Sequence, residues 1–157
     1  MNPRVLDMLE IANQLSEDEK YCEALKYYKN ILQTNPDNVE VIIDYGVTLQ
    51  NLEFYHQALV VYDQALRFQP KNTSALIIKG SVLHTLEKYT DAITCYNIVL
   101  KIDEDNPLAL VYKGICIAET GNIQLAIKHF KKALLVDGEC DLAEISINTA
   151  KDMMKPH

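Results

Sequence analysis

Reactive chemistry in this chain would have to come from four cysteines, four histidines and a surplus of carboxylates over cations, 22 against 15. His56, His84, His129 and His157 are dispersed, and none forms the H-x-x-x-H pair with an intervening glutamate that a helical zinc hydrolase requires. Cys22, Cys95, Cys116 and Cys140 contain no C-x-x-C pair and have no histidines at zinc-ligand spacing, so they read as reduced thiols. Cys116 follows Gly114-Ile115 inside an apolar stretch, where it is a small packing residue rather than a nucleophile. The sequence has no glycine-rich phosphate loop and no G-x-S-x-G turn. These residues imply no catalytic group, no cofactor and no metal.

The carboxylates bear on partners instead. A formal net charge of -7 disfavours a general attraction to nucleic acid or to anionic lipid, so neither is expected as a partner. The longest charge cluster, Glu17-Asp18-Glu19-Lys20, falls at a turn between helices and reads as a solvated corner. The N-terminus lacks the apolar run of a signal peptide and no stretch is apolar enough for a bilayer span, which makes a cytoplasmic location the default expectation. With 48% apolar residues over 157 positions the chain can bury a core, and one domain is expected.

What positions these side chains is a repeat. Ala24, Ala58, Ala92 and Ala126 are 34 residues apart; an aromatic follows four residues after each, at Tyr28, Tyr62, Tyr96 and Phe130. Twelve residues before each alanine stands Ala12, Gly46, Gly80 or Gly114. Apolar residues within each unit recur at three- and four-residue steps, the period of amphipathic helices. Each unit therefore reads as two helices, the first at about 4–16, 39–52, 73–86 and 107–120 and the second at about 20–34, 54–68, 88–101 and 122–136. Pro36-Asp37-Asn38 and Pro70-Lys71-Asn72 close two units, and Asn106-Pro107 pairs a capping residue with a proline suited to the first turn. A glycine inside a helix costs about 1 kcal/mol relative to alanine. Close approach of the second helix, with Ala58, Ala92 or Ala126 against the glycine, is the expected compensation.

The order of small residue, alanine and aromatic, with a further tyrosine at Tyr21, Tyr55 and Tyr89, resembles the tetratricopeptide repeat family over residues 5–140. Departures are modest: Ile123 replaces that tyrosine in the fourth repeat, Glu104 and Gly138 replace the closing proline, and Lys79 and Lys113 stand where leucine is usual. The resemblance implies an all-α fold, a right-handed α-solenoid of four helix-turn-helix repeats (about 5–38, 39–72, 73–106 and 107–140). A C-terminal capping helix at about 141–154 completes it, with Asp141 as its cap. Leu142, Ile145, Thr149 and Met153 would line one side of that helix and Glu144, Asn148, Lys151 and Lys155 would face water.

In this family the first helices line a concave groove, and the register puts Asn13, Glu40, Ile43, Asp44, Val47, Ile78, Ser81, Tyr112 and Ile115 on it. Ile77 and Val111 extend an apolar strip, Glu10 and Glu17 an acidic end, and His84 falls towards the rim. The expected partner is another protein, presenting an amphipathic helix or extended segment with apolar anchors and basic residues. Some family members hold acidic chaperone tails with lysines, asparagines and an arginine on this face. Here Leu9 and Ser74 replace the lysines, Asp44 one asparagine and Ile78 the arginine, leaving Asn13 alone, so such tails should not bind. The resulting function is a scaffold or adaptor; the alternative is self-assembly into a homodimer through the same apolar strip or the stripe on the last helix.

Overall fold

Asparagine side chains start the later first helices at a 34-residue interval. In the computed structural model, which describes residues 3–154, Asn38, Asn72 and Asn106 accept hydrogen bonds from the backbone N–H three residues on, at 3.3, 2.9 and 3.0 Å. Each satisfies a donor that the first helical turn would otherwise leave unpaired. Asn122 does the same for Leu125 at 3.2 Å, and Pro107 occupies the first turn behind Asn106.

Nine helices and no strand form among the described residues: α1 (Pro3–Glu17), α2 (Tyr21–Thr34), α3 (Val39–Asn51), α4 (Tyr55–Phe68), α5 (Thr73–Thr85), α6 (Tyr89–Ile102), α7 (Pro107–Glu119), α8 (Ile123–Val136) and α9 (Asp141–Met153). The helix limits expected from the sequence agree with these to within one residue. The first helix of each pair closes with a six-residue hydrogen bond, Lys20 N–H to Leu15 C=O and its equivalents at Phe54, Lys88 and Asn122. That closure requires a left-handed residue just before the donor, and the positions are Glu19, Glu53, Glu87 and Gly121, with φ of 59, 62, 58 and 90°. Only the last is the residue type that adopts this conformation without steric cost.

The chain divides into two compact units, residues up to Ala75 and residues from Leu76 on. In the first, α1 packs on α2, α2 on α3 and α3 on α4, burying Ala24, Tyr28 and Ile31 with Val41, and Ala65 with Ile42. In the second, α6 packs on α7, α7 on α8, and α9 on both α7 and α8, around Leu110, Ile117, Phe130 and Ile147. Full burial of side chains of this size contributes about 1.5–3 kcal/mol each.

The second helix approaches each mid-helix glycine closely. A Cβ at Gly46 would lie 2.5 Å from Tyr62 Cε1, at Gly80 2.6 Å from Tyr96 Cε1, and at Gly114 2.4 Å from Phe130 Cε1. The buried aromatic of the second helix therefore lies directly against each glycine, and any side chain there would meet its ring first.

The last helix differs from the expectation. Its buried residues are Ala143, Ile147 and Ala150, while Ile145 and Met153 are 62% and 59% exposed. The packing stripe follows the repeat register, in which Ala143 succeeds Ala75 and Ala109, all buried, rather than the bulkiest side chains. Asp141 is the first helical residue and not the cap: Cys140 holds that position without a capping side-chain bond, and the Asp141 carboxylate acts on the helix dipole instead. Glu144, Asn148 and Lys151 are exposed; Lys155 and His157 lie outside the described residues.

Candidate functional site

The first unit brings four of the sequence-selected residues, Asn13, Glu17, Asp44 and Val47, into one cleft of about 220 Å³. α1 contributes Asn13, Ser16 and Glu17, α2 contributes Tyr28, and α3 contributes Asp44, Val47, Thr48 and Asn51. Helical spacing accounts for the grouping, since residues three and four apart share a face. The buried Tyr28 hydroxyl donates to Asn13 Oδ1 at 2.8 Å, and Ser16 Oγ lies 3.3 Å from the Tyr28 hydroxyl oxygen. Thr48, almost wholly buried, donates its hydroxyl to the Asp44 backbone carbonyl at 2.8 Å. Asp44 lines the same cleft.

Burial raises the Asp44 pKa, and the negative charge of Glu40 raises it further. No described cation forms an ion pair with it. Burial and then the Asp44 charge also raise the pKa of the Tyr62 phenol. A half-buried carboxylate held next to a second one has an unsatisfied preference for a cation. Glu40, Glu10 and Glu17 are exposed, and Ile43 is half-buried against the core of this unit.

In the second unit Ile78 and Ser81 are half-buried on α5. Tyr112 stacks on Tyr96 with ring centroids 5.9 Å apart and 24° between planes, leaving part of its ring accessible. Ile115 packs on the core cluster of α7 and α8 while remaining half-exposed. Val111 is fully buried in the core cluster that α7 shares with α8 and α9 and leaves the surface strip. Ile77 is half-buried, and His84 sits against Tyr89 at 5.4 Å with its Nε2 enclosed, so it is not a solvent-exposed rim residue.

Sequence reasoning missed Ser16, Tyr28, Thr48 and Asn51 as cleft residues. A signal for two of them was present twelve residues before each aromatic. Ser16 accompanies Tyr28, and Gln50 accompanies Tyr62, whose hydroxyl donates to Gln50 Oε1 at 3.2 Å; Ala118 accompanies Phe130, which has no hydroxyl. The third pair is His84 and Tyr96, where His84 Nε2 and the Tyr96 hydroxyl are both buried without a hydrogen-bond partner. Among the described residues no group of three or more His, Cys, Asp or Glu side chains is placed to hold a metal ion, and no helix is long and apolar enough to cross a membrane.

The model of the tetratricopeptide repeat matches residues 43–107 and again 85–141. The chain belongs to the tetratricopeptide repeat family. Among solved structures it is similar to a double mutant of MamA RS-1 (TM-score 0.86, 21% identity, 100% of this chain and 88% of that one). A tetratricopeptide repeat protein from Parabacteroides merdae superposes with a TM-score of 0.84 at 20% identity, over 95% of this chain and 59% of that one. YrrB, described as having an unusual peptide-binding site, does so with 0.73 at 22% identity, over 93% and 75%. At these identities the likeness is one of fold. A search of curated proteins finds no match. Tetratricopeptide repeats are in general protein-interaction scaffolds.

Proposed function

We propose that this tetratricopeptide repeat protein is a non-catalytic cytoplasmic adaptor that takes up a basic segment of another protein on the faces of its first helices. The observation that carries the reading is the cleft at Asp44. Its carboxylate has lost part of its hydration, has Glu40 and Glu17 nearby and has no counter-ion among the described residues. A lysine or arginine from a partner would supply the missing charge, with Asn13 and Asn51 as polar neighbours. Ile43, Val47, Ile78, Ser81, Tyr112 and Ile115 are half-exposed, which suits contact with a partner's apolar side chains, and each unit contributes its own set. Acidic tails would meet repulsion at Asp44 and gain no cation from Leu9, Ser74 or Ile78. A peptide-binding site on YrrB is consistent with this use of the fold.

Selection from a random peptide library tests the reading. The wild-type chain should enrich Lys- and Arg-containing sequences, and Glu40→Lys/Asp44→Lys should lose them and turn towards acidic ones. Identical selections from both chains would refute the assignment of the cleft. The alternative, a homodimer as the main function, predicts a mass by light scattering that doubles with concentration.

A further inference from the structure

The cleft at Asp44 has a counterpart three 34-residue periods along the chain, within the second unit. It lies between α7 and α9 over Phe130, and its lining follows the same register. Ile115 replaces Asn13, Ala118 replaces Ser16, Phe130 replaces Tyr28, Ser146 replaces Asp44 and Met153 replaces Asn51, while Glu119 keeps the position of Glu17. Thr149 and Ala150 stand where Val47 and Thr48 do, so the same register has lost a hydrogen-bonding side chain at five of eight positions and gained one, the Thr149 hydroxyl, which donates to the Ile145 carbonyl.

Size and charge restrict what fits. The cleft holds about 130 Å³, close to the ~150 Å³ at which an apolar cavity takes up a benzene molecule. That is room for one leucine, methionine or phenylalanine side chain. Ile145 and Met153 of α9 line the cleft while largely exposed, and Glu119 is the sole charged side chain among the described lining residues. A second copy is a poor occupant: each chain carries a net charge of -7, and one side-chain pocket falls far short of the ~800 Å² per partner of a stable interface.

We propose that the α7–α9 cleft binds a single large aliphatic or aromatic side chain of a partner segment, with an adjacent Lys or Arg of that segment pairing with Glu119. This rests on the protein-interaction reading above and adds the apolar half of the ligand's chemistry. The test is methyl NMR of the full chain labelled at isoleucine and methionine, titrated with the dipeptide amides acetyl-Leu-Arg, acetyl-Ala-Arg and acetyl-Leu-Glu. Acetyl-Leu-Arg should shift the Ile115, Ile145 and Met153 methyl signals saturably. Replacing Leu by Ala should weaken binding by at least about tenfold, and replacing Arg by Glu should weaken it as well. Ile145→Glu and, separately, Met153→Glu should abolish the response; both sites are exposed, so the remaining methyl spectrum should stay unchanged.

No saturable shift at about 10 mM peptide, well above a millimolar Kd, would overturn the proposal, as would equal responses to the Leu and Ala peptides. Shifts of the same methyls with protein concentration alone would overturn it in favour of a second copy. The Ile43 methyl reports on the Asp44 side of the chain in the same spectra. A response there without one at Ile115, Ile145 and Met153 defeats this inference only, whereas silence at both also defeats the proposed function.

Discussion

Asp44→Asn should move stability and binding in opposite directions. The substitution keeps the shape of the side chain and removes its charge. The folded Asp44 has its pKa raised by burial and by Glu40, so the native state holds the proton more tightly than the unfolded chain does. Between the unfolded and the folded pKa the native state carries more protons, and stability falls as pH rises through that window. What protonated Asp44 contributes at low pH is therefore lost at neutral pH. Asparagine does not titrate, so the variant should be the more stable protein at pH 7, and its advantage should disappear on acidification below the ordinary carboxylate range. Binding should respond the other way. A charge-assisted hydrogen bond contributes about 1.5–3 kcal/mol, so affinity for a selected basic peptide should fall by about 10- to 100-fold. Thermal melts between acid and neutral pH, and calorimetric titration of the peptide, read the two effects. A variant that melts lower than wild type at pH 7, or that binds the basic peptide unchanged, would refute the reasoning.

Three further outcomes follow from the packing. Gly80→Leu places its first side-chain carbon 2.6 Å from two atoms of the fully buried Tyr96 ring, so the urea midpoint should drop by the equivalent of about 1–3 kcal/mol, and an unchanged midpoint would contradict the glycine–aromatic contact. Tyr96→Phe removes a buried hydroxyl that has no partner and should raise stability by about 1 kcal/mol, whereas Tyr62→Phe breaks the bond to Gln50 and should lower it by about 0.5–1.5 kcal/mol; equal effects in chemical denaturation would argue against the difference between the pairs. Glu87→Gly relieves a left-handed residue at the position where the fourth repeat already has Gly121, and should stabilise by about 0.5–1 kcal/mol, a gain absent if the turn adapts to the glutamate without strain.

Much of the fold was legible because its signals repeat. A single alanine followed by a tyrosine says little, but the pattern recurs four times with turn residues at the same phase, and the helix limits followed to within a residue. The left-handed turn was hidden because glutamate fills it at Glu19, Glu53 and Glu87, and only Gly121 shows the backbone requirement in its residue type. The face of α9 was misread for a related reason. A helical wheel weights Leu142, Ile145 and Met153 by bulk, yet the surface that α9 packs against is shaped for the small residues that precede it in register, Ala75 and Ala109. Period was a better guide to burial there than hydrophobicity was.

The site was legible as an address and less so as a chemistry. Register alone identified Asn13, Asp44 and Val47 as sharing a face, because helical positions 34 residues apart point the same way from neighbouring repeats. It did not reveal that the face is hollowed into a cleft, since the lining also includes Tyr28 from the second helix and Ser16, Thr48 and Asn51. It also overcounted the apolar strip: Val111 has the same register as Ile43 and Ile77 but is fully buried in the core cluster of α7, α8 and α9. Identical backbone addresses therefore carry unequal exposure at the end of the array. Within this chain the same framework carries Asn13 and Asp44 at one cleft and Ile115 and Ser146 at the register-equivalent one, so substitution changes the chemistry of the lining while the backbone positions stay the same.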